Sequence, residues 1–329
     1  IFGPHTHVRG FGESDVVIDF NDYLDEDYID KFTDSTIRQY TWNESLYALP
    51  WTAQTFGVFY NKDIFEEYDL EIPETWDELI ALADEIREKD NMIQPMAFGN
   101  RGKWMGCDFY LPLITQVTDD PNLVLDMDRN NDTTWNREAT VEAFELVESL
   151  VNEEVFAPGA NGLSNDQAIN MFYNERAAMY YAGSWMPQTF ALEAPDDLNW
   201  DVFKTPAYKD GKRHWTGNES GANISVSARS EHIEEAVEFV KYMFSNEVYS
   251  EAMVEGKGMP ATKDATNMIE DPVLKKMTSW LEDGAPHILY GEGTWDAVAN
   301  AVQGIIGGQL TPEEASEQIQ EDVERATSR

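Results

Sequence analysis

Five tryptophans in this sequence lie outside any helical stripe. Trp51, Trp104, Trp185, Trp215 and Trp295 stand at the ends of β-like runs or in polar loops, within a total of 10 Trp and 14 Tyr. A flat indole flanked by amides and hydroxyls suits a ligand with apolar C–H faces and a polar rim, which is the surface of a sugar ring. Stacking one such face covers on the order of 100 Å² of apolar surface and contributes about 2.5 kcal/mol. Micromolar affinity needs about 8 kcal/mol, so two or three platforms with hydrogen bonds are enough. Each tryptophan taken singly is equally well explained by core or lid packing, because large aromatics are mostly buried. The set is the signal.

Two further stretches offer polar groups. "YYAGSWMP" (180–187) ends a β-like run in Gly-Ser and sets Trp185 at the start of a helix, where Ser184 can cap and unpaired N–H groups can bind a polar atom. "WTGNESGANISVS" (215–227) contains Trp215, Asn218 and Glu219 and leads through glycines into a strand. It fits a hinge or a close approach of backbone to ligand, and equally an ordinary turn. The stretch "LYALPWTAQTFGVFYNKDIF" (46–65) has no charged residue before Lys62, although it holds Trp51, Thr52, Gln54 and Tyr60.

That run is conspicuous because the chain of 329 residues carries 62 acidic and 23 basic residues, a net charge of −39. Such a field repels nucleic-acid phosphate and anionic headgroups, which makes both poor candidate partners. The acids are spread along the whole chain, so the economical reading is adaptation to high salt, where a Debye length of about 3 Å at 1 M screens the self-repulsion. No apolar run reaches the roughly 20 residues of a membrane span. Cys107 is the single cysteine, so no internal disulfide can form.

Helical and strand patterns alternate, an α/β signature. "PETWDELIALADEIREKD" predicts a helix with a capping box from Thr75 and Glu78. Helices are also expected over 140–152, after Ser230, and at the C-terminus behind Thr311, Pro312 and Glu314. "MIQPMAFG", "AAMYYAG", "WDVFKTP" and "ANISVSA" read as strands, "DVVIDFNDYL" as a strand or turn, and "ALPWTAQTFGVFYN" as a strand pair broken at Pro50.

Together "LYALPWTAQTFGVFYNKDIF", "PETWDELIALADEI", "NERAAMYYAGSW", "ISVSARSEHIEEAVEFVKYMFS", "GKGMPA" and "WDAVANAVQGIIGGQLTPEEASEQI" resemble, in order and spacing, the extracellular solute-binding proteins of ABC importers. The likeness is to their maltose-binding-protein-like, carbohydrate-binding family, and it covers nearly the whole chain. "FGPHTHVRGFG" resembles the family segment after the first strand–helix–strand unit, so the start of the first lobe, with a secretion signal and any lipid-anchor cysteine, is expected to be missing. The resemblance implies an α/β, two-lobed periplasmic-binding-protein-like fold (type II), each lobe a mixed sheet flanked by helices. It implies an N-terminal lobe of 1–53 plus 224–270 and a C-terminal lobe of 56–222 plus 272–329, with hinge crossings near 53–56, 222–224 and 270–272.

By match to the family, Thr52 and Gln54 face the cleft beside Trp51, and Gln54 stands where the maltose binder has an acidic ligand contact. Trp185 and Trp295 match stacking tryptophans, and Trp104 or Tyr110 fills the place of a tyrosine platform. His5 and Thr6 match a His-Asp pair with Thr in place of the sugar-binding Asp, and Ala299 stands where the maltose binder has an arginine. These departures put maltose itself in doubt. The implied protein is a monomeric, non-catalytic sugar receptor on the extracellular or periplasmic face, without cofactor. It would close around a neutral mono- or oligosaccharide and deliver it to membrane permease subunits. Two other readings have weaker support in the residues. A glycoside hydrolase needs two carboxylates roughly 5 to 10 Å apart, and abundant acids make that signal empty. A metal site could use His5 and His7, which would share a face on a strand, but a zinc site wants three or four ligands.

Overall fold

The computed structural model describes residues 7–129, 134–256, 258–285, 287, 289, 291 and 293–328, with Ser35, Arg129 and Glu219 described by backbone alone. His5 and Thr6 therefore lie outside the described residues. The principal strands are β1 (Leu49–Asn61), β2 (Gln94–Ala97), β3 (Ala177–Gly183), β4 (Trp200–Lys204) and β5 (Thr216–Ile224). The principal helices are α1 (Trp76–Lys89), α2 (Trp104–Thr118), α3 (Glu138–Asn152), α4 (Met186–Glu193), α5 (Ile233–Met243), α6 (Asn246–Glu255), α7 (Thr294–Ile306) and α8 (Pro312–Thr327). The chain divides into one unit of Ile1–Thr55, Ser184–Leu192 and Asn218–Gly284 and a second of Phe56–Gly183, Glu193–Gly217 and Ala285–Arg329.

In the first unit the opening half of β1 runs antiparallel to β5, from Leu49 opposite Ile224 to Thr55 opposite Asn218. Its core gathers Phe20, Phe32, Tyr40, Leu49, Val237, Val240, Phe244 and Tyr249. Phe32 and Phe244 meet edge to face at 5.0 Å, a favoured ring geometry. The buried Tyr249 hydroxyl donates to the Trp51 carbonyl and accepts from the Ala261 N–H at 2.8 Å. Burial pushes its ionisation upward.

In the second unit β2 pairs in parallel with β3, and the closing half of β1 is antiparallel to both β3 and β4. All seven residues of β3 are buried, which accounts for the unbroken apolar run "AAMYYAG". Trp76 at the head of α1 donates from its indole N–H to Gln116 at 2.7 Å. Gln116 in turn donates to the carbonyls of Trp215 (2.7 Å) and Pro206 (3.1 Å). Pro112 inside α2 has no N–H to give the Asp108 carbonyl. The buried Tyr181 hydroxyl supplies that bond at 3.1 Å, and burial holds the phenol well above its ordinary ionisation range.

The capping boxes at Thr75–Glu78 and Thr311–Glu314 form as their sequences imply. Two expectations are corrected, and the stretch read as strand or turn takes the turn. The pair of strands broken at Pro50 is one 13-residue strand, because the ladder absorbs the missing N–H with register shifts at 50–53. Residues 15–24 form only an isolated bridge at Val17 and a 3-10 turn, Phe20–Asp22. His7 is not in a strand: it precedes the helix Val8–Glu13 and stacks on Phe11 at 5.9 Å. The two units part at 55/56, 183/184, 192/193, 217/218 and, last, 284/285. There Asn218 binds the Leu281 carbonyl and packs against Gly284, which keeps the segment after residue 270 with the first unit.

Ion pairs lie mainly between neighbours on exposed helix faces, such as Lys241–Glu238 at 2.8 Å and Arg325–Asp322 at 2.6 Å. Such pairs contribute little, and the net charge of −39 is an excess of acids that no pairing of the 23 bases can balance. Raising NaCl from about 0.1 to about 1 M shortens the Debye length from about 10 to about 3 Å and is expected to raise the melting temperature markedly. A flat or falling melting temperature would contradict the screening argument.

Candidate functional site

The face of β1 that carries Thr52 and Gln54 is the most polar part of the uncharged run. Successive side chains of a strand alternate sides, so these two share one face, and both are half-buried. Across the ladder Gln54 is paired with Glu219, of which only the backbone is described, and Thr52 with Ala222. Between those partners lies Gly221, against which the Gln54 amide and the Thr52 hydroxyl rest. The Gln39 amide braces the neighbouring backbone, donating to the Asn218 carbonyl at 3.3 Å and accepting from the Ser220 N–H at 3.1 Å. Asn218 itself is buried and donates to the Leu281 carbonyl at 3.3 Å.

Trp51 turns the other way. Its ring meets Phe244 at 5.3 Å and Tyr249 at 5.0 Å, both edge on, so first-unit packing accounts for it. Trp185 lies directly ahead of α4 and is half-buried. Its carbonyl accepts from the Thr189 N–H at 3.2 Å. The preceding Ser184 hydroxyl accepts from the Thr55 N–H at 3.3 Å, while the Ser184 N–H donates to the Thr55 carbonyl at 2.8 Å. The pair anchors the start of α4 to the end of the first-unit half of β1.

In the second unit Trp104 is the first residue of α2 and Trp295 the second of α7, and both are half-buried. Lys103, with φ of 67°, donates from Nζ to Asn300 Oδ1 on α7 at 2.6 Å. Cys107 is buried one turn into α2. Burial pushes its thiol well up, Asp108 and Asp296 add to that, and Lys103 opposes it. A thiol held protonated is a poor nucleophile. Trp215 is 5% exposed. Its indole N–H donates to Asp119 at 2.8 Å and the Arg213 guanidinium lies 4.4 Å from its ring, which accounts for it as a core residue.

The site residues expected from sequence thus fall into a first-unit group (Thr52, Gln54, Asn218, Glu219, Trp185) and a second-unit group (Trp104, Trp295), with Trp51 and Trp215 engaged in packing. Gln39, Gly221, Lys103 and Asn300 were not foreseen. Only Gly221 carried a signal, as part of the glycine-rich passage that fits a close backbone approach.

A family model described as "Bacterial extracellular solute-binding protein" matches residues 1–249. The chain belongs to this family. It is 29% identical over 224 residues to the "Multiple sugar-binding protein" of Streptococcus mutans, covering 66% of this chain and 51% of that one, so it spans about half the length of that relative. It is 24% identical over 328 residues to the "Galactooligosaccharide-binding protein" of Bacillus subtilis, covering 91% of this chain and 70% of that one. Among solved structures a "Chitin oligosaccharide binding protein" superposes with a TM-score of 0.85 at 22% identity, over 100% of this chain and 83% of the other. The expected α/β periplasmic-binding-protein-like fold is the fold this family member has.

Trp215→Phe removes the hydrogen bond from the buried indole to the exposed Asp119. It is expected to lower the unfolding free energy by about 1 to 2 kcal/mol, read from urea denaturation. An unchanged midpoint would show that the indole is not held through its N–H.

Proposed function

We propose that this chain is the substrate-binding component of an ABC importer and captures a neutral mono- or oligosaccharide without chemically altering it. Thr52 and Gln54 would bind ring hydroxyls, and Trp185, Trp104 and Trp295 would supply stacking faces. Hinge closure between ligand-free and ligand-bound states would be driven by contacts made only in the closed state. The protein would act at the extracellular face and hand its ligand to permease subunits in the membrane.

The observation that carries this reading is the pairing of family membership with the ledge on β1. A hydroxyl and an amide, both neutral, are presented on a half-buried face within a strand that has no charge, in a chain of net charge −39. The neutral donors and acceptors that β1 presents suit the hydroxyls of a polyol. The names of the relatives, which speak of sugars and oligosaccharides, support the same class.

A thermal-shift screen against mono-, di- and trisaccharides in high salt is expected to find at least one stabilising sugar. In calorimetry with that sugar, Trp185→Ala should weaken binding tenfold or more, about 1.4 kcal/mol, with the melting temperature unchanged. Unchanged affinity would remove Trp185 from the site, and conversion of the sugar on incubation would replace the receptor by an enzyme.

A further inference from the structure

Two compensating bulges interrupt the first-unit half of the β1–β5 ladder. Pro50 pairs with Asn223 and Thr52 with Ala222, which leaves Trp51 as an extra residue on β1. Ala53 then pairs with Ser220, which leaves Gly221 as an extra residue on β5. Bulges of this kind re-aim side chains and are common beside binding sites. Here the first sends the Trp51 ring onto Phe244 and Tyr249. The second puts a residue without a side chain beneath Thr52 and Gln54.

A Cβ at Gly221 would overlap the Gln54 amide and stand 2.5 Å from the Thr52 hydroxyl. Only glycine leaves that space to the two polar groups. The Thr52 methyl lies toward Gly258, 3.9 Å from where a Cβ would sit there, so the hydroxyl is the end of Thr52 that faces Gly221. Among the described side chains, no hydrogen bond engages either the Gln54 amide or the Thr52 hydroxyl. A carboxamide offers a donor edge and an acceptor edge, and a hydroxyl can serve as either. Two adjacent ring hydroxyls, each both donor and acceptor, satisfy that set. A carboxylate or an ammonium group satisfies only half of it.

We infer that Gly221 is a specificity-determining residue: its bulge is the floor that presents the Gln54 amide and the Thr52 hydroxyl to a vicinal diol of an uncharged sugar. The inference rests on the carbohydrate reading above and names, within it, the feature of the sugar that is read and the residue that makes the reading possible. Gly221 acts through its neighbours and is a positioning residue. The atoms a Cβ would displace are the ends of side chains, so the fold can accommodate alanine by moving them, and the loss falls on recognition.

The test is calorimetry of the wild type, Gly221→Ala, Gln54→Ala and the double variant. The ligands are a sugar that stabilises the wild type and its monodeoxy analogues, with melting temperatures measured alongside. Gly221→Ala is expected to weaken binding by at least about tenfold with little change in melting temperature, and to lose the wild type's preference for the full diol over a deoxy analogue. In the Gln54→Ala background the glycine substitution should cost less than in the wild type, because only the Thr52 hydroxyl is left for it to displace. Wild-type affinity in Gly221→Ala, or a further additive loss in the double variant, overturns the inference. Should Gly221→Ala fail to fold, a Gln54→Ala protein that still discriminates the deoxy analogues as the wild type does overturns it equally. Absence of sugar binding by the wild type would instead defeat the carbohydrate reading, so the two failures are distinguishable.

Discussion

Backbone pairing along Leu49–Asn61 constrains everything else in this molecule. From Gly57 to Tyr60 the strand is bonded on both edges, to Met179–Ala182 on one side and Asp201–Lys204 on the other, and Phe56, Val58 and Phe59 are wholly buried. A charged side chain there would lose several kcal/mol of hydration without a partner. From Leu49 to Thr55 the same strand pairs with β5, and there its half-buried Thr52 and Gln54 remain polar but neutral. The uncharged run therefore has two parts. Its second half is uncharged because it is buried, and Thr52 and Gln54 are half-buried on a polar but neutral face, as the proposed sugar site requires.

The parts of the fold visible in the sequence were those dictated by local rules. Thr75 with Glu78 and Thr311 with Glu314 announce helix starts because a cap and its reciprocal acceptor lie three residues apart. "AAMYYAG" announces a buried strand by its composition. What could not be read locally was decided by partners distant in sequence. Pro50 looked like a break, yet the strand passes through it because compensating bulges at Trp51 and Gly221 restore the ladder. Residues 271–284 are joined to the first unit in part by Asn218 reaching the Leu281 carbonyl, a contact no pattern within either segment reveals.

The candidate site was legible to a similar degree. Composition and neighbours single out five tryptophans without distinguishing them. Trp51 and Trp215 prove to be engaged in packing, one against Phe244 and Tyr249, the other through Asp119. Trp104, Trp185 and Trp295 keep part of their surface at helix starts. A bulge turns Trp51 inward, and Gln116 and Thr205 hold the Trp215 carbonyl at 2.7 and 3.0 Å. Resemblance to the family pointed to Gln54, but its supporting glycine emerged only from the register of two strands far apart in sequence.

The central claim is that the first-unit half of this uncharged strand, with the β5 segment opposite it, carries the sugar. Hydrogen–deuterium exchange with and without a saturating sugar that binds tests it most directly. The account predicts added protection at residues 52–55 and 218–222, with the core around Trp215 unchanged. Sugar binding that leaves exchange at both of those segments untouched would contradict it.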